Sequence, residues 1–250
     1  MISNIKRGAL CALAAVTFIH ATTAAAAAPA RPAPRTAPRY VPPPPPPPAL
    51  NALPAFEISG YGGPGNFRAG DDNGSDSRGS TDFGFEASAI AANHLLLAVD
   101  YDNNRVSTDG GHFTFAPWHL GLGYIGPMGR TASWYAKASI ASLRFSGCAN
   151  GLGCDGTTQS GGGIAAGFRL PFAQQWIGDI DVAYDYLAKK DNSDAVNAVG
   201  IGGKLVCKIT RAVGLWAGVH ANFYTDADSS SNGAYVNVVE GRFGISVDVY

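Results

Sequence analysis

Beyond its first thirty residues the sequence has no apolar run longer than a few residues, Leu95–Val99 being typical, whereas a helix needs about 20 to cross a bilayer. A spanning helix is therefore excluded there, and a mature chain that enters a membrane must close its backbone hydrogen bonds in a barrel. Charge is also scarce: 15% of residues are charged and the formal net charge is −1. With no clustered basic face, nucleic acid is excluded as a partner. Helical periodicity is nowhere sustained. Cysteine is rare, and once Cys11 leaves with the export segment only Cys148, Cys154 and Cys207 remain. Cys148 and Cys154 bracket a short glycine-rich stretch and are expected to pair in an oxidising compartment. Cys207 lies alone in an apolar run and reads as a buried small hydrophobe.

What is present begins with export. Lys6 and Arg7 precede a mostly apolar Gly8–Ile19, and the run Ala24–Ala28 offers small residues for cleavage, so residues 1–28 read as a signal peptide and not as an anchor. Leu10 occupies the position before Cys11 where lipidation needs a small residue. Residues 29–55 form a proline-rich segment, RPAPRTAPRYVPPPPPPP, with Arg31, Arg35 and Arg39 at every fourth position. It cannot build a core and is expected to be a disordered spacer sampling polyproline II, reaching roughly 80 Å at about 3.1 Å per residue. A contact with peptidoglycan or a periplasmic protein is the functional alternative for this tract.

From Phe56 onward the pattern changes to alternation with period two, the signature of strands with two unlike faces. Ten segments are expected: Phe56–Phe67, Asp82–Ala91, Leu95–Asp102, His112–Ile125, Ala132–Phe145, Gly161–Leu170, Trp176–Leu187, Ala195–Lys208, Ala212–Thr225 and Ala234–Tyr250. The number falls to eight if two of them belong to loops. Their connections alternate in kind. Arg68–Thr81, Asn103–Gly111, Ser146–Ser160, Ala188–Asp194 and Asp226–Gly233 read as long polar loops, and Ala92–His94, Gly126–Thr131, Pro171–Gln175 and Ile209–Arg211 as short turns. In an up-and-down barrel the two kinds fall on opposite rims, which matches long extracellular loops and short periplasmic turns. An even strand number then puts both ends of residues 56–250 on the short-turn side.

Parity assigns the faces. In Trp176–Leu187, Trp176, Ile180, Val182, Tyr184 and Tyr186 share one side and Asp179, Asp181 and Asp185 the other. Carried through all segments, this places Glu57, Glu86, Asp100, Asp102, Lys137, Arg169, Asp179, Asp181, Asp185, Lys204, Glu240, Arg242 and Asp248 inside, where charges of both signs are expected to pair and fill a narrow lumen. Two aromatic belts are expected outside: Tyr124, Trp134, Phe172 and Trp176 near the short turns, and Tyr101, Phe145, Tyr186, Phe223 and Tyr235 near the long loops.

Motifs for chemistry fail on context. The string GLGYIG from Gly121 to Gly126 runs along a strand with no helix to receive a phosphate, and its glycines read instead as relief of crowding inside the barrel. Asp226, Asp228 and Ser230 imitate the start of a calcium loop, but Gly233 is misplaced and Asn237 stands where a bidentate glutamate belongs. There is no GxSxG elbow, and His94, His112, His119 and His220 lack the spacing zinc requires. Asp100-Tyr-Asp102 with His220 resembles the acid and histidine groups of omptin-type outer-membrane proteases, yet Gly218 stands where an aspartate should precede His220. Neither a catalytic site nor a metal or cofactor is expected.

Segments such as WHLGLGY, Trp118–Tyr124, followed by a short turn and WYAKASI, Trp134–Ile140, resemble small outer-membrane β-barrel proteins of the OmpA-type and opacity-protein class. The resemblance covers Phe56 to Tyr250 and implies an all-β, up-and-down antiparallel transmembrane barrel in the cell outer membrane. The expected role is structural or surface-interacting through extracellular loops that meet an external ligand, in a monomer surrounded by outer-membrane lipid. A narrow porin-like channel is the first alternative. A hydrolase of omptin or lipid-modifying type is the second.

Overall fold

The computed structural model describes residues 53–71, 74–91, 94–129, 131–149, 153–173, 175–189, 194–227 and 234–250. The expected signal peptide, the proline-rich segment up to residue 52, and the stretch 228–233 of the calcium-loop imitation lie outside these residues. The described residues belong to one unit, Asn51–Tyr250, containing ten strands and no helix long and apolar enough to cross a membrane. The strands are β1 (Phe56–Asp71), β2 (Gly74–Ala91), β3 (Leu95–Thr108), β4 (Gly111–Met128), β5 (Ala132–Ala149), β6 (Gly153–Ala173), β7 (Trp176–Leu187), β8 (Val196–Lys208), β9 (Val213–Asp226) and β10 (Tyr235–Val249). Each pairs antiparallel with its sequence neighbours, and β1 pairs with β10, closing the barrel.

Closure leaves no edge, so every strand finds backbone partners on both sides, as a hydrocarbon environment demands. The register also fixes the stagger. Opposed residues followed from Glu57 through Ser88, Ala98, Gly121, Ser139, Gly163, Asp185, Ala198, Tyr224 and Val236 return to β1 at Ala69, twelve residues further along. A stagger of this size accompanies strands tilted about 40° from the barrel axis.

Ten strands stand where ten were expected, but their lengths correct the loop assignment. Arg68–Thr81, Asn103–Gly111 and Ser146–Ser160 are mostly strand: β1 and β2 continue to Asp71 and from Gly74, β3 and β4 to Thr108 and from Gly111, and β5 and β6 to Ala149 and from Gly153. Their glycine, serine and asparagine residues have weak strand preference, but an extended ladder already running through the membrane supplies partners for each added residue. Cys148 and Cys154 are opposed in this extension and are joined by a disulfide. The connections between β7 and β8 and between β9 and β10 begin close to their expected positions. At the other rim Gly129 takes a positive φ of 69° in the tight β4–β5 turn, where a side chain would be strained.

The outward row is hydrocarbon. Leu120, Leu122, Ile140, Ile164, Ile180, Val182, Val219, Phe243 and Ile245 are all more than half exposed, a display that water would penalise and lipid does not. Tyr124, Trp134, Phe172 and Trp176 stand on this face near the short turns, and Tyr101, Tyr186, Phe223 and Tyr235 on the same face toward the other rim. Phe145 is the exception. It opposes the inward Phe115 and belongs inside.

The exception follows a rule visible on five strands. At the level of lipid, apolar residues face out. Beyond it the alternation inverts: Phe67 and Ala69 face in while Asn66 and Arg68 face out, Val106 in while Arg105 faces out, Phe113 and Phe115 in while Thr114 faces out, Leu143 and Phe145 in while Arg144 faces out, and Val236 and Val238 in while Asn237 faces out. Where lipid ends and water begins outside, the only dry side left is the lumen.

Candidate functional site

Among the described residues, buried polar groups converge in the lumen, which is built in tiers. Nearest the short turns, the Arg169 guanidinium lies 2.6 Å from Glu57 and 4.0 Å from Asp179, and Lys208 lies 2.6 Å from Asp248. The Trp216 indole donates to the Ser59 hydroxyl at 2.6 Å. Leu53 and the buried Pro54 line the lumen at this end.

The middle tier centres on His119. Its Nδ1 is 2.6 Å from Asp100 and its Nε2 is 3.1 Å from Asp185, while Lys137 donates to the second Asp100 oxygen at 3.2 Å. Lys204 pairs with Glu86 at 2.7 Å. Glycines make the room: a Cβ on Gly163 would fall 1.7 Å from an Asp185 carboxylate oxygen, and one on Gly123 would fall 2.1 Å from the Ala136 carbonyl and collide with Lys137. Gly121 and Gly123 thus serve as spacers within β4.

Above this, Arg242 reaches three carboxylates at once, Asp82 and Asp102 at 3.0 Å and Glu240 at 2.6 Å. The Tyr61 hydroxyl donates to Asp102, and the Arg242 guanidinium sits 4.7 Å from the Tyr61 ring centre. Such a cluster is stable only while its cation is present, because each carboxylate has left water for an interior of low polarity.

Apolar side chains then predominate in the lumen, with Ser80 and Gln159 as buried polar neighbours at this level. Phe67, Val106, Phe115, Leu143, Leu187, Ala198, Tyr224 and Val238 form one buried apolar cluster with members on eight of the ten strands. Phe115 packs edge-on against Tyr224 at 4.6 Å and against Phe145 at 6.0 Å. This layer caps a cavity of about 240 Å³ lined by the middle-tier charges.

All nine charges singled out in sequence, Glu86, Asp100, Lys137, Arg169, Asp179, Asp181, Lys204, Glu240 and Arg242, face inward in this register. Asp181 lines the cavity, and its carboxylate is brought against β8 at Gly202. Asp100, Asp102 and His220, whose resemblance to an omptin-type set fails at Gly218 in the sequence, are divided in the structure: Asp100 engages His119 and Lys137, Asp102 engages Tyr61 and Arg242, and His220 has Asn222 as a polar partner at 3.3 Å. Sequence reasoning missed His119, Asp82, Lys208 and the cap. His119 could have been found by parity, since it shares its face with Gly121 and Gly123 and opposes Asp100. Cys207 is buried at 3% exposure but is not the lone apolar thiol expected from the sequence, since it is disulfide-bonded.

A closed antiparallel cylinder with hydrocarbon outside, two aromatic belts and charge sequestered inside defines a transmembrane β-barrel of the outer-membrane type. The solved structures agree in fold. The chain is similar to the outer membrane protease OmpT from Escherichia coli at a TM-score of 0.51 and 9% identity, covering 80% of this chain and 100% of that one. It is similar to Neisserial surface protein A at a TM-score of 0.42 and 16% identity over 78% and 97% of the two chains. It is also similar to Ail, the attachment invasion locus protein of Yersinia pestis, at 0.38 and 12% over 76% and 97%. No protein-family model and no curated protein matches the sequence.

Proposed function

We propose that this protein is a closed outer-membrane barrel with a structural and surface-interaction role, exercised by the hairpins β1–β2, β3–β4 and β5–β6 on the cell exterior. The observation that carries the reading is the apolar cap. A conduit for ions or small polar solutes needs a wetted path, and a predominantly apolar layer drawn from eight strands opposes one. The export segment supplies the route to the membrane. β1 begins and β10 ends on the short-turn rim, and the reading extends to the proline-rich segment that precedes β1 in sequence: a periplasmic spacer, with peptidoglycan or a periplasmic protein as its partner.

The lumenal acids and bases support this reading over an enzyme. Both ring nitrogens of His119 are taken up by carboxylates, which leaves neither to move a proton for a substrate. Asp100 is held by His119 and Lys137 of its own network. These groups act as a polar filling that ties facing strands together.

The purified protein should run at different positions on gels before and after boiling, and should carry no steady current in planar bilayers. A steady, ion-selective conductance altered by Lys204→Met would replace this reading with the channel. Hydrolysis of peptide or lipid by the folded protein, lost in Asp100→Asn and in His220→Ala, would replace it with the enzyme.

A further inference from the structure

All the carboxylates on the ten strands lie on inward-facing positions or at hairpin ends; the outward-facing positions of the described strands hold no Asp or Glu. The outward charges that remain are three arginines, Arg68 on β1, Arg105 on β3 and Arg144 on β5, joined by His112 on β4. All three arginines are exposed. They fall in one half of the barrel. In the other half, the outward residues at the same height are Asn197, Thr225 and Asn237.

Height follows from the stagger. Allowing for the twelve-residue shift, the three arginines lie within about 5 Å of a common level and only one to three residues beyond the outward Tyr186 and Phe223. That is the level at which lipid headgroups meet a barrel whose aromatic girdle marks the interface.

None of the three pairs with a carboxylate among the described residues. Arg68 is positioned by the Ser75 hydroxyl, 3.3 Å from Nε and 3.0 Å from Nη2, and Arg105 Nη2 lies 3.3 Å from His112 Nδ1. The nearby acids, Asp71, Asp76, Asp109 and Asp155, sit at hairpin tips or on inward positions, and Asp76 is engaged by Arg78. A guanidinium held by one neutral neighbour keeps donors free for an oxyanion, and its planar fork matches phosphate.

We infer that Arg68, Arg105 and Arg144 form a one-sided docking arc for the phosphorylated headgroups of outer-leaflet lipid. This rests on the membrane reading above and on its orientation. The arc fixes the rotational setting of the barrel: anionic lipid collects against β1–β5, and neutral or sugar hydroxyl groups face β7–β10.

The test uses the full chain, folded in dodecyl maltoside micelles and showing the heat-dependent gel shift, so that failure of the barrel reading is separated at the outset. The probe is a diphosphorylated, acylated glucosamine disaccharide lipid, compared with the same lipid stripped of phosphate. Native mass spectrometry should show the phosphorylated form retained at least tenfold better, falling about fivefold for each arginine changed to glutamine. Retention should weaken with salt. A control change at the opposite rim, Arg211→Gln, should leave it unaltered. Equal retention of the two lipids would overturn the inference, as would undiminished retention by a folded R68Q/R105Q/R144Q variant. Binding of the sulfated polysaccharide heparin through these arginines, with no preference between the lipids, would overturn it in favour of a soluble polyanion.

Discussion

Between the short turns and the level of Tyr101 and Trp118, this barrel carries hydrocarbon outside and charge inside; a few residues further along the same strands the order is reversed. In β5, Ala136, Ala138 and Ile140 face lipid while Lys137 and Ser139 face the lumen, and then Leu143 and Phe145 turn inward as Arg144 turns out. Backbone geometry and pairing are continuous across the change. What differs is the solvent around the cylinder. With lipid outside, the barrel is anchored from without and can keep a polar interior; once the exterior is wet, the strands add to their backbone pairing by packing apolar residues on each other across the lumen. The cap is thus the hydrophobic core of the part of the protein that stands in water.

That comparison can be broken from either side. The largest effect is expected from Arg242→Leu, which leaves Asp82, Asp102 and Glu240 facing one another without their cation. Unfolding in urea from lipid vesicles should show a loss of about 3–5 kcal/mol, and a loss below about 1 kcal/mol would mean that water fills this tier. Next comes Phe115→Ala in the cap, expected to cost about 3 kcal/mol by cavity formation. Combined with Tyr224→Ala, its effect should be less than additive by about 1 kcal/mol, the worth of their edge-on contact. If the cap is the barrier, bilayers holding the double variant should show current flickers that the parent protein lacks. The smallest effect belongs to Arg78→Ala. Its pairing with Asp76 at 2.9 Å is shorter than the Arg242–Asp82 contact, yet the two side chains are 39% and 69% exposed, so the change should remain under about 0.5 kcal/mol.

The inversion also explains what sequence could and could not deliver. Face assignment was legible wherever one side met lipid, because alternation of hydrocarbon with charge is then enforced residue by residue; the row of Asp179, Asp181 and Asp185 opposite Ile180, Val182 and Tyr184 is the clearest instance. Beyond lipid the enforcement lapses. The stretch RAGDDNGSDSRGST has the composition of a loop and is nonetheless mostly ladder, since its strands inherit their register from the barrel below. Phe145 departs from its expected belt for the same reason: its position in the chain predicts an outward aromatic residue, but past the lipid boundary an aromatic residue packs inward. The pairing of Glu57 with Arg169 lay beyond reach altogether, because it joins residues 112 apart in sequence through a stagger that only closure of the barrel defines.

The uneven strand lengths have a consequence for outline. At a tilt near 40°, each residue climbs only about 2.5 Å along the axis, so a band roughly 25 Å tall consumes about ten residues. The twelve residues of β7 are nearly spent in crossing it, whereas the twenty-one of β6 rise beyond it by about as much again. Among the described strands the ladder therefore steps down from β6 to β7, and the taller flank is the one that carries the hairpins β1–β2, β3–β4 and β5–β6.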